Sequence, residues 1–506
     1  MRWLVFAVAA MLVAVTPSSG ARAALEVAPV ASAVADGQTR ALLLRATAKL
    51  KDGDTVGALP LIRRVLAAPD FDTLSSEDQH QALLEGGFAE LKSGVPATSI
   101  QLLRRAVLSP EADYNDWLDL GAAGQAAKDS AAAVEAVTML ARRWPDRLSG
   151  AVDPVVSYAL SVAPTEEENR QGRIGLLSAL YDARWPQGHF SDGSYLWSDL
   201  AAMVYGAGDE NRAADIARSV AIPRAIVGMC IGRDYDALLR KAPDVCDLGK
   251  RMEAYLAEVR ERAAAQPDKL QAQHHLLDVL VQAGDDAEAL KLADDDLAKA
   301  KGPHSPYTDG ADWIEWVHNA RSHALRDLGR SDEAVAAMRA GMALPEDGGV
   351  NISQVVNLAD LLNALGRPKE ALEVISHAGP GSAFGQMEIL AVRGEAWAQL
   401  GDKERLSKAI AEARGRLKDA PSALEDILIA ANDLDGAAAL FVQRLGDKAM
   451  RWEALMDLQG WRDIGPSSPV KAELDRRFAA VRARPEVQAA VQPIGRILTI
   501  PFRKQE

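Results

Sequence analysis

The chain has 506 residues, with 57 Lys and Arg against 71 Asp and Glu, a net charge of −14. That length exceeds one ordinary domain of roughly 100–200 residues, so the chain holds several domains or one long repeat array. Apolar content of 48% excludes a wholly disordered chain, and the acidic balance excludes a general nucleic-acid binder, which carries a basic face. Alanine, the strongest helix former, is the commonest residue and aromatics are only 5%, a composition that predicts an all-α fold.

The chain opens Met1-Arg2-Trp3, runs apolar from Leu4 to Val15, and reaches Ala21-Arg22-Ala23. A basic start, a short apolar core and a small-x-small site predict an export signal over 1–23, cleaved near Ala23. The core is shorter than the roughly 20 residues that cross a bilayer, although an uncleaved anchor stays open as the other reading. A linker over 24–40 follows. The mature protein is then expected to be periplasmic or secreted. In an oxidising compartment the two cysteines, Cys230 and Cys246, form a plausible disulfide, the alternative being two buried thiols.

From residue 41 a turn recurs: apolar residue, Gly, polar residues, then Ala five positions after the glycine. It appears as Gly53 with Ala58, Gly208 with Ala213, Gly284 with Ala289, Gly329 with Ala334, and Gly366 with Ala371. Gly401 heads a weaker copy with Leu406, and Gly94 with Ser99 and Lys128 with Ala133 fit the frame less well. Gly329, Gly366 and Gly401 are 37 and 35 residues apart, a period that means one helix hairpin per repeat. Glycine ends the first helix in a left-handed conformation. Polar residues such as Asp285, Ser331 or Asp402 are expected to cap the second, and the small Ala lets the two helices approach. Val355, Leu358, Leu361, Leu362 and Leu365 share one face that a lone hairpin cannot bury, so hairpins must stack.

These turns, best in Leu328-Gly329-Arg330-Ser331-Asp332-Glu333-Ala334 and Leu365-Gly366-Arg367-Pro368-Lys369-Glu370-Ala371, resemble the tetratricopeptide repeat family. Trp397 and Trp117 fall near positions where that family places aromatics. The resemblance covers about 41–445 unevenly, within a repeat array expected over 41–464, and 150–265 lacks the full pattern. It implies a right-handed α-solenoid of stacked helix hairpins with a concave groove for a protein or peptide partner, and it implies no chemistry.

Two longer connections repeat a pattern of His, aromatic, hydroxyl, Asp-Gly and Trp. The first runs from Gly188 to Trp197 and the second from Pro303 to Trp313, with Trp316 one turn on. Tyr195, Trp197, Tyr307, Trp313 and Trp316 are therefore candidate partner-binding anchors, or else residues of capped helix starts that pack into the stack. No metal site is expected, because adjacent His274-His275 point to different faces and His318 and His323 miss the i, i+4 spacing. No nucleotide loop or hydrolase motif is present, so no cofactor and no catalytic residue is expected. The segment 465–506 carries eight Lys or Arg against four Asp or Glu from residue 471 onward. It reads as a cap on the last hairpin, or as a basic docking tail for an anionic surface.

The sequence thus points to a non-catalytic protein-interaction scaffold of the periplasm. The alternatives are a structural component of an envelope assembly or polysaccharide-export machine, peripherally held at the envelope, and a peptidoglycan-acting hydrolase. It leaves the oligomeric state open.

Overall fold

The computed structural model describes residues 37–148, 153–163, 170–186, 193–302, 304–346, 348–463, 465 and 468–504. The expected signal segment 1–23 and most of the linker lie outside them. Among the described residues are 26 α-helices and no strand, with only isolated bridges of extended backbone. The chain divides into two compact units, one through Ile216 and one from Ala217 onward.

Helix hairpins make up most of both units. In the first, Gln38–Lys51 pairs with Thr55–Leu66, Ser76–Lys92 with Pro96–Ala106, and Tyr114–Ala127 with Ser130–Arg143. In the second, Leu270–Ala283 pairs with Asp286–Ala300, Gly310–Asp327 with Ser331–Met342, Ile352–Ala364 with Pro368–Ile375, and Ala383–Leu400 with Lys403–Gly415. Pro421–Ala430 and Leu434–Gly446 form a further pair. Gly53, Gly94, Gly208, Gly284, Gly329, Gly366 and Gly401 all sit at φ between 71° and 95°, the left-handed region that ends a helix. Lys128 and Asn432 take the same conformation, at φ 57° and 59°. The partner alanines are sealed: Ala58, Ala213, Ala334 and Ala371 are 0% exposed and Ala289 1%.

Two expected caps differ. Asp402 does cap its helix, its carboxylate accepting from the Arg405 N–H at 3.1 Å. Asp285 accepts no helix N–H, and Ser331 lies one residue inside its helix, where Arg330 takes the cap position and pairs with Glu333 instead. Between hairpins, Val355, Leu358, Leu361 and Leu362 are all buried, each such side chain contributing roughly 1.5–3 kcal/mol by leaving water. Leu365, at the turn, is half-buried.

The divergent stretch departs from the hairpin pattern most clearly after residue 220. Pro223–Ile231 is a nine-residue helix buried on every side, apolar except for Arg224, whose charge is met by Glu453. A disulfide joins Cys230 in this helix to Cys246 in the short 3-10 turn Pro243–Cys246, and the Leu248–Ala265 helix follows.

The C-terminal segment does more than cap the last hairpin. After the Arg451–Asp457 helix, Trp452 fills the notch left by Gly228, and Glu453 pairs with Arg224 at 2.7 Å. The chain then crosses a row of helix ends. Arg462 donates to the Ala283 carbonyl at 3.1 Å, a side chain on Gly465 would strike the Asp327 backbone, and Ser468 donates to the Ala364 carbonyl. The Pro469–Arg482 helix sends Arg477 to the Ile429 and Ala430 carbonyls and sets Phe478 edge-on against Phe441. After the Pro485–Val491 helix the chain returns to Ile231 and finally lays Arg503 into a buried carboxylate pair. The reason is chemical: the last carbonyls of a helix have no partner within it, and cations suit its negative end. Arginines of the +4 segment meet that need within their own chain.

Candidate interaction site

Of the first aromatic connection, 187–192 lies outside the described residues, and with it His189, Phe190 and Asp192. Trp197 is 5% exposed, meets Tyr181 edge-on at 5.3 Å, and presses on Gly193, where a Cβ would come within 2.8 Å of the indole. Tyr195 is half-buried in the first turn of the Ser194–Gly206 helix.

The second connection works as a bracket. The Asp309 carboxylate accepts from the Leu270 and Gln271 N–H groups at 2.7 and 3.2 Å, so it caps a helix whose own Lys269 offers no side-chain acceptor. Thr308 N–H donates to the Asp268 carbonyl at 3.0 Å. Tyr307 is 9% exposed, and its hydroxyl donates to buried Asp296 at 2.6 Å. Burial, with that ionised neighbour, holds the Tyr307 phenol well above the ordinary tyrosine range.

Trp313 and Trp316 lie one turn apart on the Gly310–Asp327 helix, both half-buried, with rings 5.4 and 6.4 Å from the His274 imidazole. The next residue, His275, meets the Tyr255 hydroxyl at 3.0 Å, and burial lowers its pKa to about 4, helped by Arg262 and His274. The structure thus brings Trp313 and Trp316 together over one imidazole and commits Trp197 and Tyr307 to packing. Tyr195, Trp313 and Trp316 keep surface that a partner could cover.

A further surface escaped the sequence reading. On the Gln38–Lys51 and Ser76–Lys92 helices, the Thr47 hydroxyl donates to Glu85 at 2.6 Å, and the Gln81 amide donates to both at 2.9 Å. Leu44 sits three residues before Thr47 and Phe88 three after Glu85, so each lies on the same helix face as the bridge. They are 58% and 43% exposed, and Lys92 stands over the Phe88 ring at 5.6 Å. Amphipathic periodicity could not single them out, because a helix packed on two sides carries apolar residues around most of its circumference.

Titratable groups elsewhere are buried within the stack. Burial pushes Glu315 up to about 7, with repulsion from Glu346 and Asp312, and pushes His318 down to about 4. They are 8% and 6% exposed on the Gly310–Asp327 helix, which closes them to a substrate. Among the described residues no group of three or more His, Cys, Asp or Glu could hold a metal ion, and no helix is long and apolar enough to cross a membrane. A cleft of about 340 Å³ between the Lys403–Gly415, Pro421–Ala430 and Leu434–Gly446 helices is lined by Leu417, Leu424, Leu428 and Leu440, with only Arg414 and Gln443 as polar groups.

No known protein family matches the sequence. No curated protein matches it either. Solved structures that resemble it include a Rap protein complexed with competence and sporulation factor, at 13% identity over 88% of this chain and 97% of that one, with a TM-score of 0.26. Yeast Tom70 resembles it at 12% identity over 90% of this chain and 99% of its own, with a TM-score of 0.31. At such scores the hairpins and turns described above, not these superpositions, define the fold.

Proposed function

We propose that this chain is a non-catalytic scaffold exported to the periplasm, where it binds a protein or peptide partner along the exposed first helices of its hairpins. The observation that carries the reading is the surface of the Gln38–Lys51 and Ser76–Lys92 helices. Two well-exposed apolar side chains, Leu44 and Phe88, flank a polar bridge that fixes the two helices side by side. Rigid helices presenting apolar anchors beside hydrogen-bonding groups suit recognition of a peptide. Tyr195, Trp313 and Trp316 are the aromatic anchors we assign to a wider interface. The N-terminal pattern Leu4–Val15 followed by Ala21-Arg22-Ala23 supports export, and a disulfide fits an oxidising compartment.

The test is capture of the tagged protein from the envelope of its host after mild crosslinking, with mass spectrometry of the crosslinked peptides and of the N-terminus. The expected result is one reproducible partner linked through Leu44, Phe88 or the three aromatics, and a mature chain starting at Ala24. Full recovery of that partner by a variant carrying Leu44→Ser, Phe88→Ser, Trp313→Ala and Trp316→Ala, with helicity retained, would refute the interface. A chain recovered with Met1 in place would refute cleavage.

A further inference from the structure

The disulfide stands next to the first anchor of the returning C-terminal segment. Cys230 is followed by Ile231, whose carbonyl accepts from the Arg496 N–H at 2.9 Å, and by Arg233, whose N–H donates to the Ile494 carbonyl at 3.0 Å. Arg233 also donates through Nε to the Gln492 carbonyl at 2.5 Å, and the Arg496 guanidinium pairs with Asp236. Gly495 is clamped here, since a Cβ would come within 2.7 Å of the Ile231 carbonyl and 2.5 Å of Leu455. Arg233 and Asp236 belong to the loop that the bond closes, across a separation of 16 residues. Downstream the segment has its own anchors: Leu498 N–H to the Gln459 side chain, Ile500 N–H to the Gly460 carbonyl, Arg462 N–H to the Phe502 carbonyl at 3.1 Å, and the buried Ile500 and Phe502 side chains ahead of Arg503.

We propose that the Cys230–Cys246 bond is a redox-set latch on the C-terminal segment. Its reduction loosens residues 232–236 and with them 492–496, while the rest of the C-terminal segment and the helix hairpins stay folded. The co-reactant is a dithiol. It gives up two electrons and two protons, the S–S bond breaks to two cysteine thiols, and the dithiol closes to its own disulfide. Cys230 is 3% exposed but Cys246 is half-buried, so the attacking thiolate reaches the Cys246 sulfur and Cys230 leaves. The chain-entropy cost that a closed loop of this length removes is enough to shift a local opening equilibrium by a factor of ten or more. The rest of the loop stays pinned by Leu238 and Val245, which are buried, and by the Arg218–Asp244 pair, and this confines the change.

The experiment is hydrogen exchange on the full chain, oxidised and after complete reduction by dithiothreitol, with thiol content checked by alkylation and mass. Amides of Arg233 and Arg496 are expected to exchange at least tenfold faster when reduced, while those of Ile500, Arg503 and the Leu270–Ala283 helix keep their rate. No acceleration at Arg233 and Arg496, or an equal acceleration throughout the unit, overturns the latch. Arg496→Ala supplies the second arm. With the bond intact it should speed the same amides, and reduction should then add less than twofold. A full tenfold response to reduction in that variant would also overturn the proposal.

Discussion

The two units use one hairpin grammar and finish it differently. Among the described residues of the unit through Ile216, the main helix contacts are between elements near in sequence, and large apolar side chains stay exposed at Leu44, Val56, Phe88, Val95 and Leu108, as Leu328, Val350, Leu400 and Val442 do in the other unit. In the unit from Ala217, a segment at the end of the chain reaches back across five helix ends and ties residues up to 260 positions apart, as in the Arg496–Asp236 pair. A stack of repeats gains stability additively from neighbour contacts. A crossing segment makes the unit depend on a few long-range pairs. The difference teaches that local repeat rules set the helices, whereas cooperativity depends on what crosses them.

The largest expected effect tests that dependence. Arg503 meets Asp286 at 2.5 and 2.8 Å and Asp327 at 2.8 Å, all three groups under 9% exposed. Arg503→Ala removes the guanidinium that both buried carboxylates share, leaving Asp327 its Arg326 contact at 2.8 Å, and should cost roughly 3–5 kcal/mol. Chemical denaturation should show the loss in the second unit alone. A uniform loss across both units would break the comparison.

Acidity gives the next effect, again confined to the second unit. Glu315 has a folded pKa raised to about 7, so its protonated form is favoured in the fold. That contribution is fully present below the ordinary carboxylate value and is lost as pH rises from about 4.5 through 7. Glu315→Gln should therefore stabilise by about 1–3 kcal/mol at pH 8 and by little at pH 4, read as melting temperature at each pH. His318 runs the other way. Its pKa of about 4 lies below the ordinary value, so its contribution is lost as pH falls from about 6.5 through 4. An equal gain from Glu315→Gln at both pH values would show that packing, not ionisation, sets the cost.

The smallest effect sharpens the shared grammar. Lys128 in the first unit and Asn432 in the second hold the left-handed turn without glycine. Lys128→Gly should stabilise by up to about 1 kcal/mol and Asn432→Gly by less, because asparagine tolerates that conformation better. Thermal melts of the two variants check the order.

These turns also mark how far the sequence could be read. The frame of glycine plus five to alanine located the hairpins because it is a local steric requirement written in two residues. Asn432 with Ala437, 0% exposed, follows the same frame and was overlooked because asparagine stands where glycine was sought. The disulfide was legible as a possibility, since two cysteines in one chain have one pairing. The aromatic connections were legible as turns but not as surfaces, because the burial of Tyr307 depends on Asp296 from a neighbouring helix. The path of the C-terminal segment was not legible at all. Its positive charge suggested an anionic target, yet nothing in a linear string says that the target is a set of helix ends and two aspartates of the same chain.

The carboxylates that Arg503 neutralises are made long before it is, 217 residues earlier for Asp286 and 176 for Asp327. During synthesis the second unit therefore holds Asp286, and Asp327 with its Arg326 neighbour, before the guanidinium they share arrives. Its helices can form and stack in that interval, but the closed arrangement waits for the guanidinium. Closure of this unit is thus timed by delivery of residue 503, and a chain halted before it would lack the cation that the two carboxylates share.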